Sequence, residues 1–315
     1  MDQFREEWGR CWRDLPEKTL FFMLLAAWAA LFLFFGNSTL GYTATHSLFR
    51  WMEYTYSMST DDEHGRLIPF VVLGLYWWKR KELMAVPKAP WWPGLGLLGL
   101  ALLVHGIGYM VQQARISIIG FFLGVYAVTG MVWGWRWLKA SFFPFCLFAF
   151  CVPLGTLTET ITFPLRIAAT QITVAISHVG LGIDVIQDGT RIFDPNGAYQ
   201  YEVAAACSGI RSLTVTLAIA VIYAFVYFKS PWRRGLIIAA AFPVAVTANV
   251  IRLTSIIIAA EAFGAAAGNY VHASAWMSLL PYVPALLGIV LLGYWMRENK
   301  SRALTATLAG TGPSV

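Results

Sequence analysis

Charge is scarce in this chain. Asp, Glu, Lys and Arg make up 13% of its 315 residues and hydrophobic residues 58%, with a mean hydropathy of +0.60. A soluble domain carries about 25% charged residues, so a soluble globular fold is excluded and a polytopic membrane protein is indicated. Cysteine is scarce too, with four in all. Cys11 lies in a polar N-terminal segment, Cys146 and Cys151 lie inside one apolar run, and Cys207 stands alone. That spacing excludes a disulfide framework and a zinc site with paired ligands. No metal or organic cofactor is expected. No small-residue cleavage site follows the first apolar run, so no cleavable signal peptide is expected. No internal inverted repeat of the kind that builds many transporters is evident.

What is present is a series of apolar runs separated by short basic clusters. The net charge of +6 and pI of 9.2 do not imply a nucleic-acid partner, because the clusters sit between membrane runs and serve orientation. The partner they imply is the lipid bilayer. Residues 1–18 read as a cytoplasmic amphipathic segment, 19–296 as the membrane-embedded domain, and 297–315 as a cytoplasmic tail. Spans are predicted over 19–35, 70–78, 93–111, 116–135, 142–157, 213–228, 235–260 and 272–296. Residues 36–63 and 261–271 read as loops, and 158–180 as a helix at the interface or partly re-entrant. Within 182–203, three short β-rich runs at 183–186, 190–193 and 199–203 are separated by Asp188-Gly189 and by Pro195-Asn196-Gly197, which predicts a small hairpin element. The fold class is therefore an all-α polytopic membrane protein of about eight transmembrane helices with a small extracytoplasmic β-element.

About 16 of the 23 Lys and Arg fall in clusters that eight spans place on one side, with both termini cytoplasmic. Cys207 and His272 then lie outside. Arg252 lies about 17 residues into its span, about 25 Å up, near the outer edge of the core of about 30 Å.

Cys207 is the candidate nucleophile. It precedes a predicted helix and lies four residues before Arg211, and both features lower a thiol pKa. The plainer reading is a small packing residue. Ser208 competes as nucleophile but needs a base set against it. Arg252 inside a span costs at least about 2.5–3.5 kcal/mol and so needs a role or a partner. Its role would be to stabilise the thiolate or an oxyanion, and its plainer reading is snorkelling or a pair with Glu261. His272 would protonate the leaving amine. Arg211 would bind a substrate carboxylate, His64 and Arg66 would line substrate entry, and Asn249 would orient Arg252. His46, His105 and His178 read as structural.

These residues carry a resemblance. Residues 64–69, 164–170 and 182–189, the run Cys207, Ser208, Gly209, Ile210, Arg211, Ser212, the run Asn249, Val250, Ile251, Arg252, and His272 together resemble the exosortase/archaeosortase family, over about residues 64–296. The resemblance implies a membrane-embedded cysteine protease or transpeptidase. Its partners would be membrane-anchored proteins bearing a C-terminal sorting signal, a short motif typically Pro-Glu-Pro, then one transmembrane helix and a basic cluster. Cys207, Arg252 and His272 take the catalytic positions. Around His272 the residues Tyr270, Val271, Ala273, Ser274, Ala275 and Trp276 depart from the Phe-His before a Gly-Trp more usual in that family. Two rivals remain at this point: a transporter or polysaccharide-export component using Arg252 and Arg211 as an anion path, and a rhomboid-like serine protease using Ser208.

Overall fold

The structure is a computed structural model and describes residues 2–39, 43–59, 62–154, 156–202, 210–274 and 282–296. The chain forms two compact units, Met1–Thr160 and Ile161–Val315.

The first unit is helical. Its elements are α1 (Asp2–Asp14), α2 (Lys18–Phe35), α3 (Leu48–Met58), a 3₁₀ turn Glu63–Arg66, α4 (Ile68–Trp78), α5 (Arg80–Ala85), α6 (Gly94–Met110), α7 (Ala114–Trp133) and α8 (Trp135–Cys146), followed by a 3₁₀ turn Leu147–Cys151. The sequence GLGLLGLALLVHGIGYM gives α6 no polar face, so α6 has to be sheathed by other helices or lipid. It packs most closely on α7, where the one polar pair, His105 Nδ1 with Ser117 Oγ at 3.1 Å, satisfies both groups. His105 is thus structural, as expected. Against α7 also lies α2. A Cβ at Gly124 would come within 2.0 Å of Trp28 Cζ2, so only glycine admits the indole, whose Nε1 donates to Phe121 O at 2.9 Å.

Two expectations change here. The loop read over 36–63 contains α3, an eleven-residue helix capped by Ser47 Oγ, which accepts from Arg50 N. The span read over 142–157 is not one helix. Pro144 lies inside α8, the chain tightens into the 3₁₀ turn, and residues 152–154 are non-helical. Asp62 Oδ1 accepts Leu154 N at 3.1 Å and holds that break.

The second unit begins within α9 (Thr156–Ala175), which widens into a π turn, Ile176–Leu181. A three-stranded antiparallel sheet follows: β1 (Ile186–Asp188), β2 (Arg191–Phe193) and β3 (Gln200–Glu202), in the order β1-β2-β3. Ile192 pairs with Gln187 and Tyr201, which sets one face of the sheet. The first strand begins at Ile186 rather than 183. Ile183 N bonds Ser177 O and Val185 O meets His178 Nε2, so 183–185 closes the π turn. Asp188 pairs with Arg191, which moves the first turn to Gly189 and Thr190. The second turn is closed by Asp194 Oδ2, which accepts Asn196 N and Ala198 N.

Then come α10 (Ile210–Tyr227), α11 (Pro231–Phe263), α12 (Ala265–Ala273) and α13 (Tyr282–Trp295). Ala220 and Ala224 of α10, Ile237 and Ala241 of α11 and Ile289 of α13 share one core. At 33 residues, α11 is about 50 Å long. It ends at Gly264, whose φ of +87° breaks the helix, and Ala265, Ala266 and Ala267 restart it at once. The expected loop over 261–271 is therefore the end of α11 and most of α12. His272 sits in the last turn of α12 instead of opening a span at 272–296.

Among the described residues, α2, α7 and α11 are long and apolar enough to cross a membrane, and shorter apolar helices lie at 68–78, 94–110, 213–227 and 286–295. The protein is a polytopic all-α membrane protein with a small sheet.

Candidate active site

Strand β3 and helix α12 are held together by aromatic packing. Tyr199, Tyr201, Ile192 and Val185 from the sheet segment form one core with Ile256, Ile257 and Ala260 of α11. Residues 199 and 201 have the two-residue spacing that puts both rings on one side of a strand. Their rings stack at 5.5 Å and 27°. Tyr201 in turn stacks on His272 at 6.0 Å and 28°. Its hydroxyl donates to Ala265 O at 3.4 Å, and a Cβ at Gly268 would come within 2.0 Å of that oxygen. Gly268 is therefore what lets the phenol lie across α12.

Tyr199 Oη donates to Glu261 Oε2 at 3.3 Å. Burial, and then the Glu261 charge, push the Tyr199 pKa up to about 12, and burial raises that of Tyr201. Both phenols stay neutral near pH 7 and act as hydrogen-bond donors, not as bases. Glu261 is thereby engaged by the sheet.

Arg252 is buried on α11, with 9% of its surface exposed, and Nη2 donates to the carbonyl of His272 at 3.3 Å. Two residues twenty apart in sequence are thus brought together by the reversal at Gly264. Burial, and then the Arg252 charge, hold the His272 imidazole below its usual pKa. α12 is not among the described helices long and apolar enough to cross a membrane. A neutral imidazole beside a fixed guanidinium can accept a proton, and once charged gives it up readily.

Asn249 is buried on α11 one turn before Arg252. Cys207 and Ser208 lie outside the described residues. Arg211 belongs to the first turn of α10, and its side chain also lies outside the description. His64 and Arg66 belong to the first unit, in the 3₁₀ turn before α4. Arg66 Nη2 binds Glu53 Oε1 at 2.7 Å and Ser57 Oγ at 2.6 Å, both on α3. His178 closes the π turn through Asp184 and Val185, the structural role expected of it.

Sequence reasoning missed Tyr199, Tyr201 and Gly268, and it considered Glu261 only as a partner of Arg252 and not of Tyr199. The alternation of the two tyrosines was a usable signal. The glycine carried none, because only its neighbours make it necessary. Sequence reasoning also missed that Arg166, Thr170, Thr173 and Ser177 form one buried face along α9 and the π turn.

Fold and site together define a multi-pass membrane protein in which a buried cation on α11 meets the histidine-bearing turn of α12. The sequence profile of the transmembrane exosortases matches residues 51–287 of the chain. The protein belongs to that family, whose members are membrane protein-sorting enzymes of the cysteine type, acting as transpeptidases or proteases. No curated relative and no solved structure matches the chain.

Proposed function

We infer that the protein is a thiol protease or transpeptidase that cleaves C-terminal sorting signals of the Pro-Glu-Pro kind from membrane-anchored proteins. The observation that supports this reading is the contact between Arg252 Nη2 and the backbone carbonyl of His272, which sets these two residues side by side. Tyr201, six residues before Cys207, stacks on the His272 imidazole.

The Cys207 thiolate attacks the carbonyl carbon of the scissile peptide bond, and Arg252 offsets the negative charge that develops on the oxygen. The C–N bond breaks as the His272 imidazolium gives its proton to the departing amine. Water or an amine acceptor then attacks the thioester. His272 takes the proton from that nucleophile and the thiol leaves. Arg211 binds the acidic motif and Asn249 steadies Arg252, while His64 and Arg66, on the first unit, are assigned to substrate contact from their sequence positions alone. The reaction runs at the outer face of the bacterial inner membrane, with both termini and the segments 1–18 and 297–315 in the cytoplasm, in keeping with the basic clusters.

The test is co-expression with a tagged candidate substrate, followed by substrate size on a gel. Cys207→Ala should abolish processing, and Ser208→Ala should retain it at least in part. Cleavage that persists in Cys207→Ala removes the thiol mechanism, and loss confined to Ser208→Ala favours a serine nucleophile.

A further inference from the structure

The first unit contains an apolar chamber of about 590 Å³ beneath α1. That volume lies within the roughly 300–1,000 Å³ of sites for single small ligands. Phe21, Leu25, Val72, Val125, Phe145 and Phe148 line its depth. Helix α1 forms the roof. Its residues Phe4, Trp8, Cys11 and Trp12 fall on one helical stripe, with the charged Arg5, Glu6, Arg10 and Arg13 between them. Phe4 and Trp8 pack on Trp77 at 4.8 and 5.7 Å, and Glu7 pairs with Arg80.

The rim carries three cations, each stacked on a chamber tryptophan. Lys18 lies 5.5 Å from the Trp12 ring, Arg80 4.5 Å from Trp77 and Lys88 5.1 Å from Trp137. Tryptophan with lysine or arginine is the pairing found where a membrane protein meets headgroups. The three cations differ in what they have left to give. Arg80 gives three of its five N–H donors to Glu7 and Trp77 O, and its charge is offset by the Glu7 carboxylate. Lys18 Nζ makes one hydrogen bond, to Trp12 O, and Lys88 Nζ makes two, to Met84 O and Val86 O, out of three donors each. Both lysines border the α1–α2 turn: Trp133 Nε1 donates to Pro16 O there at 2.9 Å, and the Asp14 charge bears on Lys88. Trp137, buried at the same rim, has an Nε1 with no hydrogen-bond partner among the described residues. Apolar depth below, spare ammonium donors and an indole donor above, is the pattern of one acyl chain with an anionic head.

We propose that this chamber is a binding site for one anionic phospholipid, with an acyl chain under α1 and its phosphate between Lys18 and Lys88. The site is independent of the catalytic reading.

The test uses the full-length protein in mild detergent with phosphatidylglycerol and phosphatidylcholine as probes. Native mass spectrometry counts retained lipid, and maleimide labelling of Cys11, mapped by peptide, reports occupancy. Phosphatidylglycerol should be retained at least about tenfold better than phosphatidylcholine, and Lys18→Gln with Lys88→Gln should cut that preference below about threefold with an unchanged circular dichroism spectrum. Phosphatidylglycerol should also slow Cys11 labelling severalfold, and phosphatidylcholine should not. Equal retention of the two lipids, an unchanged preference in the double variant, or labelling indifferent to lipid overturns the proposal. So does a peptide segment or a second copy of the chain occupying the chamber.

Discussion

The two units bury different chemistry. The first is built on aromatic and aliphatic packing: Phe21, Phe32, Trp28, Trp133 and Trp137 form its cores, and of the 14 tryptophans only Trp232, Trp276 and Trp295 fall after residue 160. The second buries two arginines, Arg166 and Arg252, beside Thr170, Thr173, Thr216 and Asn249, whereas the buried polar residues described in the first are Asp62 and side chains such as Asn37, His105 and Ser141. Polar groups in a membrane interior are costly and mark function. The comparison teaches that, among the described residues, the buried cations, the groups costliest to bury, are confined to the second unit.

That contrast can be broken by substitution. The largest effect is expected from Arg252→Gln, which should slow processing by about 10²–10³-fold, the range seen when a transition-state donor is removed. Expression and helicity should hold, and processing at near the normal rate would place the arginine outside the mechanism. A matched pair comes next, the same added methyl in each unit. Gly268→Ala drives a Cβ onto the Tyr201 hydroxyl and should displace the phenol from His272, lowering processing by about tenfold or more as a misplaced group does. Gly124→Ala drives a Cβ onto the Trp28 ring and should cost about 1–3 kcal/mol in stability while the folded fraction keeps its rate. Thermal unfolding beside processing rates checks both. If the two glycines behave alike, the division of labour fails.

The smallest effect is in pH. The His272 pKa is depressed by burial and by Arg252, so the acid limb of processing should lie below the usual imidazole range. Arg252→Gln removes the second cause and should move that limb up in the residual activity. An unmoved limb would mean that another group sets it. The sign for stability follows. The unfolded chain binds a proton before the folded one does, so this ring's contribution is present above the ordinary imidazole pKa and lost as pH falls from there through the folded value.

The sequence disclosed the long helices well, because an apolar run reports burial whatever its partners. Runs at 19–35, 93–111, 116–135 and 235–260 became α2, α6, α7 and the middle of α11. Hydropathy could not disclose breaks. The stretch 142–157 stays apolar through Pro144 and the 3₁₀ turn, and only the bond from Leu154 N to Asp62 shows why it stops. Gly264 behaved the same way: one residue at positive φ converts a loop and a span into two helices and seats His272. Arg252 was legible as a costly residue, but its contact with His272 was not, since a reversal at one glycine has no periodic signature. The buried face of α9 was not legible either, because Arg166, Thr170, Thr173 and Ser177 carry polar side chains. Thr170 and Thr173 donate to carbonyls four residues back, which lets a helix bury them.

The length of α11 has one more result. A rod of about 50 Å set in hydrocarbon about 30 Å thick must lean or stand clear by the difference. Its guanidinium sits about 32 Å from the Pro231 end, close to one full membrane thickness away. With Pro231 and the arginines at 233 and 234 in one headgroup layer, a straight α11 would bring Arg252 to the level of the opposite layer. A thicker bilayer would draw the guanidinium into oil, and a thinner one would lift it into water.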